Sequence, residues 1–341
     1  MKKRIESMDI LKSLSTLAVI MIHVSASAIN NSQFDTNIYK FSLILNQLSR
    51  FSVPVFIFLS GMGLTLSYNK KESYLKYELH RLNKVVPEYL LWSSIYYFFI
   101  MERKGLRELL VGCAGGDIYY HLYFVPIIII FYIMFPLFFK FFKTNLALIL
   151  SFLVNISFTT FNYLNYNANL PLSMGIETLF NWIFYFILGI NIGKKFFNME
   201  AKIKSYRKFI TISTVTISFL FILESFYSII ITKDLEHATT FIRPAVIVYS
   251  TFFIFFILAL DWKDSFFSKM SIFISKHSYI IYLSHPFILY HVKLYFKNNN
   301  YAVGSKWFLL ITYIMCITGS IIISILRNLV VNIYRSIISN I

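Results

Sequence analysis

Charge is what this sequence has least of. Only 14% of its 341 residues are Asp, Glu, Lys or Arg, against 57% hydrophobic. A soluble chain of this length needs far more charge to cover its surface, so a soluble globular enzyme is excluded. Acidic residues are the scarcest, 16 against 32 Lys and Arg, which leaves a formal charge of +16. There are two cysteines, Cys113 in a loop between apolar runs and Cys316 inside a late one. They form no metal-ligand spacing and are expected not to pair, so no metal is implied. No internal repeat, long linker or separate soluble segment stands out, and residues 1–341 read as one domain. The basic excess does not point to nucleic acid, because the Lys and Arg sit in short clusters between apolar runs rather than in a basic domain. Membrane topology and anionic lipid headgroups account for it better.

What the chain does have is apolar length. Mean hydropathy is +0.64, and 37 Phe and 24 Tyr suit lipid-facing helices and interfacial belts. Runs of about 20 apolar residues, enough to cross about 30 Å of hydrocarbon, occur at 10–29, 42–68, 85–101, 122–140, 146–165, 177–195, 209–231, 241–260, 276–296 and 307–328. The second contains Pro54 and Ser60-Gly61 and is expected to kink or break. The eighth starts at Arg243-Pro244, with Pro in a tolerated first-turn position, and the ninth should bend at Pro286. Lys2, Lys3 and Arg4 before an apolar run ending Ala26-Ser27-Ala28 resemble a signal peptide, but Asp9 and Lys12 interrupt the run, so an uncleaved first helix is expected.

With the N-terminus inside, 21 of the 32 basic residues fall in inner segments and 8 in outer ones. That asymmetry orients the bundle. The expected fold is an all-α integral membrane protein, a polytopic bundle of about ten transmembrane helices with cytoplasmic N- and C-termini.

Ionisable side chains at bilayer depth are costly, and each marks a candidate site. The first run, MDILKSLSTLAVIMIHV, holds Asp9, Lys12 and His23. Eleven residues are close to three helical turns, so Lys12 and His23 share a face about 16 Å apart along the axis. Asp9, one turn before Lys12, is placed to neutralise it. A histidine desolvated in a bundle suits general-base work; interfacial snorkelling of Asp9 and Lys12 and a packing role for His23 fit the same spacing. Arg50 in RFSVPVFIFLSG faces either a cavity or the outer interface. Arg81 and Lys84, three apart on an interfacial helix running into Pro87, suit phosphates or simple anchoring. Tyr120 and His121 at the mouth of the fourth span, Glu177 opening the sixth and His285 deep in the ninth complete the polar set. Gly189-x-x-x-Gly193 reads as helix packing, and Gly112 to Gly116 as a flexible outer loop.

In this order MDILKSLSTLAVIMIHV, RFSVPVFIFLSGMGL, HRLNKVVPEYLLWS, YYHLYFVPIIIIFYIMFPL, FYFILGINIGK and HSYIIYLSHPFIL resemble the acyltransferase-3 family of bacterial integral-membrane O-acyltransferases, over nearly the whole chain. The resemblance implies transfer of an acyl group, usually acetyl, from cytoplasmic acyl-CoA to a hydroxyl of a surface polysaccharide or lipid-linked sugar at the plasma membrane. It implies a catalytic role for His23, with Lys12 where the family commonly has arginine; the residues themselves add Asp9, placed to neutralise Lys12, and Arg50, a candidate to steady the developing oxyanion. Arg81 and Lys84 match a basic pair expected to bind the donor, and Tyr120, His121, Glu177 and His285 are candidates for the acceptor. Lysine at 12 and 84 keeps the charge but not the guanidinium fork. No extracellular hydrolase-like domain follows the last apolar run, so the membrane domain is expected to handle the acceptor itself. Export of a glycan or lipid-linked sugar is the competing reading, since polar residues facing a cavity serve transport equally.

Overall fold

The computed structural model describes residues 4–68, 73–142, 144–165, 176–262 and 266–339, and among these the chain forms helices and no strand. Lys2, Lys3, Lys70, Lys71, Lys143 and Lys263, counted above as inner basic residues, lie outside that set, as do the side chains of Glu177 and Arg335. The helices are α1 (Glu6–Asn30), α2 (Asn37–Leu48), α3 (Ser52–Ser67), α4 (Tyr74–Ile95, continued by one π-turn, Tyr96–Ile100), α5 (Leu106–Gly115), α6 (Phe124–Phe141) and α7 (Asn145–Leu164). Then follow α8 (Ile183–Ser205), α9 (Arg207–Thr232), α10 (Leu235–Thr239), α11 (Pro244–Ala259), α12 (Phe266–Asn298) and α13 (Lys306–Ser339).

Seven helical segments among the described residues are long and apolar enough to cross a membrane. They contain α1, α2 with α3, α6, α7, α9, α10 with α11, and α13. The expected spans at 85–101, 177–195 and 276–296 fall in α4, α8 and α12. Those helices carry more charge, such as Lys76, Glu78, Arg81, Lys84 and Glu88 on α4. Ile212, Val215, Phe219 and Ile230 on α9 are exposed. In water that stripe would be a large apolar patch; in lipid it needs no cover.

The chain divides into two compact units, residues 1–49 with 262–341, and residues 50–261. In the first, Ile20, Val24 and Ala28 of α1 pack with Ile281, Leu289 and Phe296 of α12 and with Phe308 and Cys316 of α13. A polar tether joins α2 to α1 at mid-helix, where the Asn46 side-chain amide donates to the Ile22 carbonyl (2.9 Å) and to Ser25 Oγ (3.1 Å). Such a bond inside a span is favoured because water is absent. Cys113 and Cys316 are both free and buried, as expected.

In the second unit α3 crosses α8 with backbone against backbone. A Cβ on Gly189 would overlap the Phe58 carbonyl and stand 2.8 Å from Met62 N, and one on Gly193 would stand 3.0 Å from Thr65 Cβ. Gly61 meets the Phe186 carbonyl in the same way from the other side. The glycine pair is therefore a close-approach device, as its spacing suggested.

The break in the second expected span lies at Ser49–Phe51, between α2 and α3. Pro54 has no N–H for the Arg50 carbonyl and its ring crowds that carbonyl, which favours a break there and leaves Pro54 in the first turn of α3, where it is tolerated. Pro87 and Pro286 behave differently and sit inside α4 and α12. Arg81 and Lys84 are thus on the same continuous helix as the residues after Pro87, not on a separate interfacial one. The Gly112–Gly116 stretch is also less of a loop than expected. Gly112 and Gly115 are helical in α5, and Gly116 ends it with φ +80°, a conformation a side chain would strain.

Candidate active site

The first unit builds its site on the mid-section of α1 and the facing turn of α12. His23 stacks on His285 with ring centroids 5.4 Å apart and planes 28° apart. His285 is fully buried. The proline after it explains its posture. Pro286 cannot donate to the Tyr282 carbonyl, and the His285 ring turns back on that weakened turn, its Nδ1 donating to Ile281 O at 3.1 Å. With the proton fixed on Nδ1, the lone pair sits on Nε2. From the other side Cys316 Sγ donates to the His285 carbonyl at 3.6 Å, and Tyr313 Oη reaches Leu17 O at 3.4 Å. Two imidazoles this close repel when both are charged.

Toward the start of α1 the arrangement differs from the sequence expectation. Asp9 is held by Arg4, whose Nε and Nη2 donate at 2.5 and 3.0 Å, and by Ser275 Oγ at 2.7 Å. The carboxylate raises the Arg4 guanidinium above its ordinary value through these hydrogen bonds. Asp9 therefore pins the α1 start to α12 and is not a dedicated partner of Lys12, which stays within electrostatic range of both Asp9 and Arg4. Glu6 adds a second pin, accepting from Ser268 Oγ at 3.0 Å. Lys12 and His23 remain on one face of one helix, as their spacing requires.

In the second unit Arg81 Nη2 donates to Ser67 Oγ at 2.6 Å and its guanidinium lies 5.3 Å from the Tyr77 ring centre. Tyr77 and Ser67 share a 2.7 Å hydrogen bond. Lys84, one turn on, is exposed. Beneath them Glu78 is buried and accepts from Tyr74 Oη at 3.0 Å; burial pushes its carboxyl above the usual range, against the pull of Tyr74 and Arg81. Arg81 is thus pre-oriented by α3, while Lys84 is a mobile point charge beside it.

His121 is buried among rings, with Tyr96 at 5.2 Å, Tyr120 at 5.6 Å and Tyr119 at 5.9 Å between centroids. Tyr120 itself is half exposed. Glu177 falls in the 3-10 turn Ile176–Asn181, and its side chain is outside the described set. Arg50, at the α2–α3 break, is half-buried and within electrostatic range of Arg243 and Tyr123.

Arg243, at the start of the eighth expected span, has partners that its sequence neighbours do not indicate. It is 0% exposed, paired with Glu224 Oε2 at 2.8 Å and with Ser225 Oγ at 3.2 Å. Its guanidinium lies 4.9 Å from the Phe221 ring centre. A local signal existed: Glu224 is the lone acid of an otherwise apolar run, and a lone buried acid needs a cation. Glu224→Gln is expected to destabilise the protein by on the order of 2 kcal/mol. That is below the roughly 3–5 kcal/mol of a fully buried pair, because the Glu224 side chain keeps 36% of its surface exposed. A fall in melting temperature in detergent checks it; an unchanged value would show the pair to be neutral.

Comparison with known proteins bears on what these groups do. A family model described as an acyltransferase domain matches residues 5–325. The probable poly-beta-1,6-N-acetyl-D-glucosamine export protein of Staphylococcus aureus (strain MRSA252) is 27% identical over 253 residues, 70% of this chain and 69% of that protein. The protein of the same description from Staphylococcus epidermidis is 26% identical over 333 residues, 92% and 89% respectively. No solved structure matches.

Proposed function

This chain belongs to the acyltransferase domain family and is a multi-pass helical membrane protein, and from that premise we propose that it is a bacterial plasma-membrane O-acyltransferase acting on a polysaccharide or lipid-linked sugar. The donor in this reading is a cytoplasmic acyl-CoA, with acetyl the first acyl group to test. The observation that carries the reading is the His23–His285 stack in mid-helix. A neutral imidazole in that position can take the proton of an acceptor hydroxyl. The hydroxyl oxygen attacks the thioester carbonyl, the C–S bond breaks, and the CoA thiolate leaves and recovers the proton from the imidazolium. His23 fills the base role, and His285, held as the Nδ1–H tautomer, keeps the ring in place by stacking on it. Arg81 and Lys84 hold donor phosphates, one by an oriented fork and one by a mobile charge.

The deciding experiment is mass spectrometry of surface glycan from cells with and without the chain. The reading expects an acyl mass to disappear when the chain is deleted, and identical acylation would overturn it. Arg81→Ala is expected to raise the KM for acyl-CoA roughly tenfold, as the loss of one charge-assisted contact worth about 1.5 kcal/mol, with kcat changed much less. A kinetic assay in detergent reads this directly. The second reading, export of the glycan, is favoured by the names of both relatives. Under it, deletion removes surface polymer altogether and leaves the acylation of any remaining polymer unchanged.

A further inference from the structure

A cavity of about 280 Å³ lies in the second unit, at the small end of ligand pockets. Its lining includes Asp117, Tyr120, Tyr123, Asn181, Trp182 and Phe241. Three of these rings form a run of offset stacks. Phe241 stacks on Tyr123 at 5.5 Å and 15°, and on Trp182 at 5.6 Å and 18°. Trp182 and Asn181 are buried, while Asp117 and Tyr120 are exposed and stand at the rim. The left-handed Gly116 ends α5 and turns Asp117 out of the helix, with Asp117 N donating to the Gly112 carbonyl at 2.9 Å. The Asn181 carbonyl accepts from Thr159 Oγ1 at 3.2 Å, so its amide NH₂ is the end offered to a ligand.

We infer that this cavity binds one ring of a neutral sugar chain. A pyranose has two apolar C–H faces and a rim of hydroxyls. An aromatic face left uncovered by the stack receives the apolar face, while an acid and an amide at the edges accept from and donate to the hydroxyls. The lining contains no Lys or Arg among the described residues, and Asp117 repels anions, so the phosphates of a CoA donor do not belong here. A quaternary ammonium group is the nearest rival, but it favours rings that surround it, and these rings stack in a row. As an acceptor subsite this rests on the acyltransferase reading; as a sugar site it does not.

Saturation-transfer NMR on the full chain in detergent, with chitotetraose as the probe, tests it. Saturation of the sugar ring protons is expected, with Asp117→Ala and Tyr120→Ala each weakening binding roughly tenfold, the loss of about 1.4 kcal/mol. Both side chains are exposed, so the variants should fold. A shift in Trp182 emission on adding the sugar to the unaltered protein, absent in Trp182→Phe, gives a second reading. Unchanged binding in both rim variants, saturation of phosphocholine in place of the sugar, or no sugar binding by protein that transfers acyl groups overturns the inference and leaves the acyltransferase reading intact. Sugar binding with no change in glycan acylation on deletion would instead overturn that reading and keep the site.

Discussion

Replacing His23 by alanine is expected to lower acyl transfer by roughly 10²–10⁴-fold, the span that general acid–base catalysis contributes, while the protein still inserts and purifies. The separation is predictable because His23 lies on a helix whose packing rests on other residues. Ile20, Val24 and Ala28 hold α1 in its core, and Arg4, Asp9 and Ser275 pin its start to α12. His285→Ala should cost less than His23→Ala, because His285 touches His23 rather than the reacting atoms in this scheme. Its effect should appear as a changed pH profile of kcat, since it packs against the ring that takes the proton. A quantitative transfer assay with radiolabelled acyl-CoA decides both. Full activity of His23→Ala would end the base assignment. A protein-bound label that neutral hydroxylamine or mild acid releases, and that is absent from His23→Ala, would replace it by a covalent acyl-histidine.

The second large effect is on folding. Gly189→Leu is expected to abolish well-folded protein, read as loss of the monodisperse peak in detergent. An ordinary overpacked core costs about 1–3 kcal/mol because side chains can shift. At Gly189 the obstacle is the Phe58 carbonyl and the Met62 amide, which are the backbone of α3 itself and cannot rotate away. Gly63 provides the control: nothing lies within 4 Å of a Cβ there, so Gly63→Ala on the partner helix α3 should leave yield unchanged. If the two variants behave alike, the close crossing of α3 and α8 is not what holds this unit together.

How much of this was legible beforehand differs by residue. The resemblance to the acyltransferase family was readable because its segments recur in order along the chain, and the family match bears it out. The glycine crossing was readable too, because i, i+4 spacing puts two small residues on one helix face. The partner of Asp9 was not. Its neighbour in sequence is Lys12, yet Arg4 and the distant Ser275 reach it first. The partners of Arg243 were not legible either, because a window average shows only a charge beside a proline at a span end, and only packing shows that Glu224 and Phe221 meet it.

By itself, then, the sequence determined the medium: too little charge for water, apolar runs long enough for lipid, and helices as the structure that satisfies its own backbone there. It also determined where a backbone hydrogen bond must be missing, at Pro54 as at Pro87 and Pro286. Those properties are local sums over neighbouring residues. The tertiary structure decided the pairings. His23 and His285 stand 262 positions apart (285 less 23), and no periodicity links them. They meet because α1, α12 and α13 share one apolar core, and the register of that packing is set by side-chain shapes that act only once the helices are together.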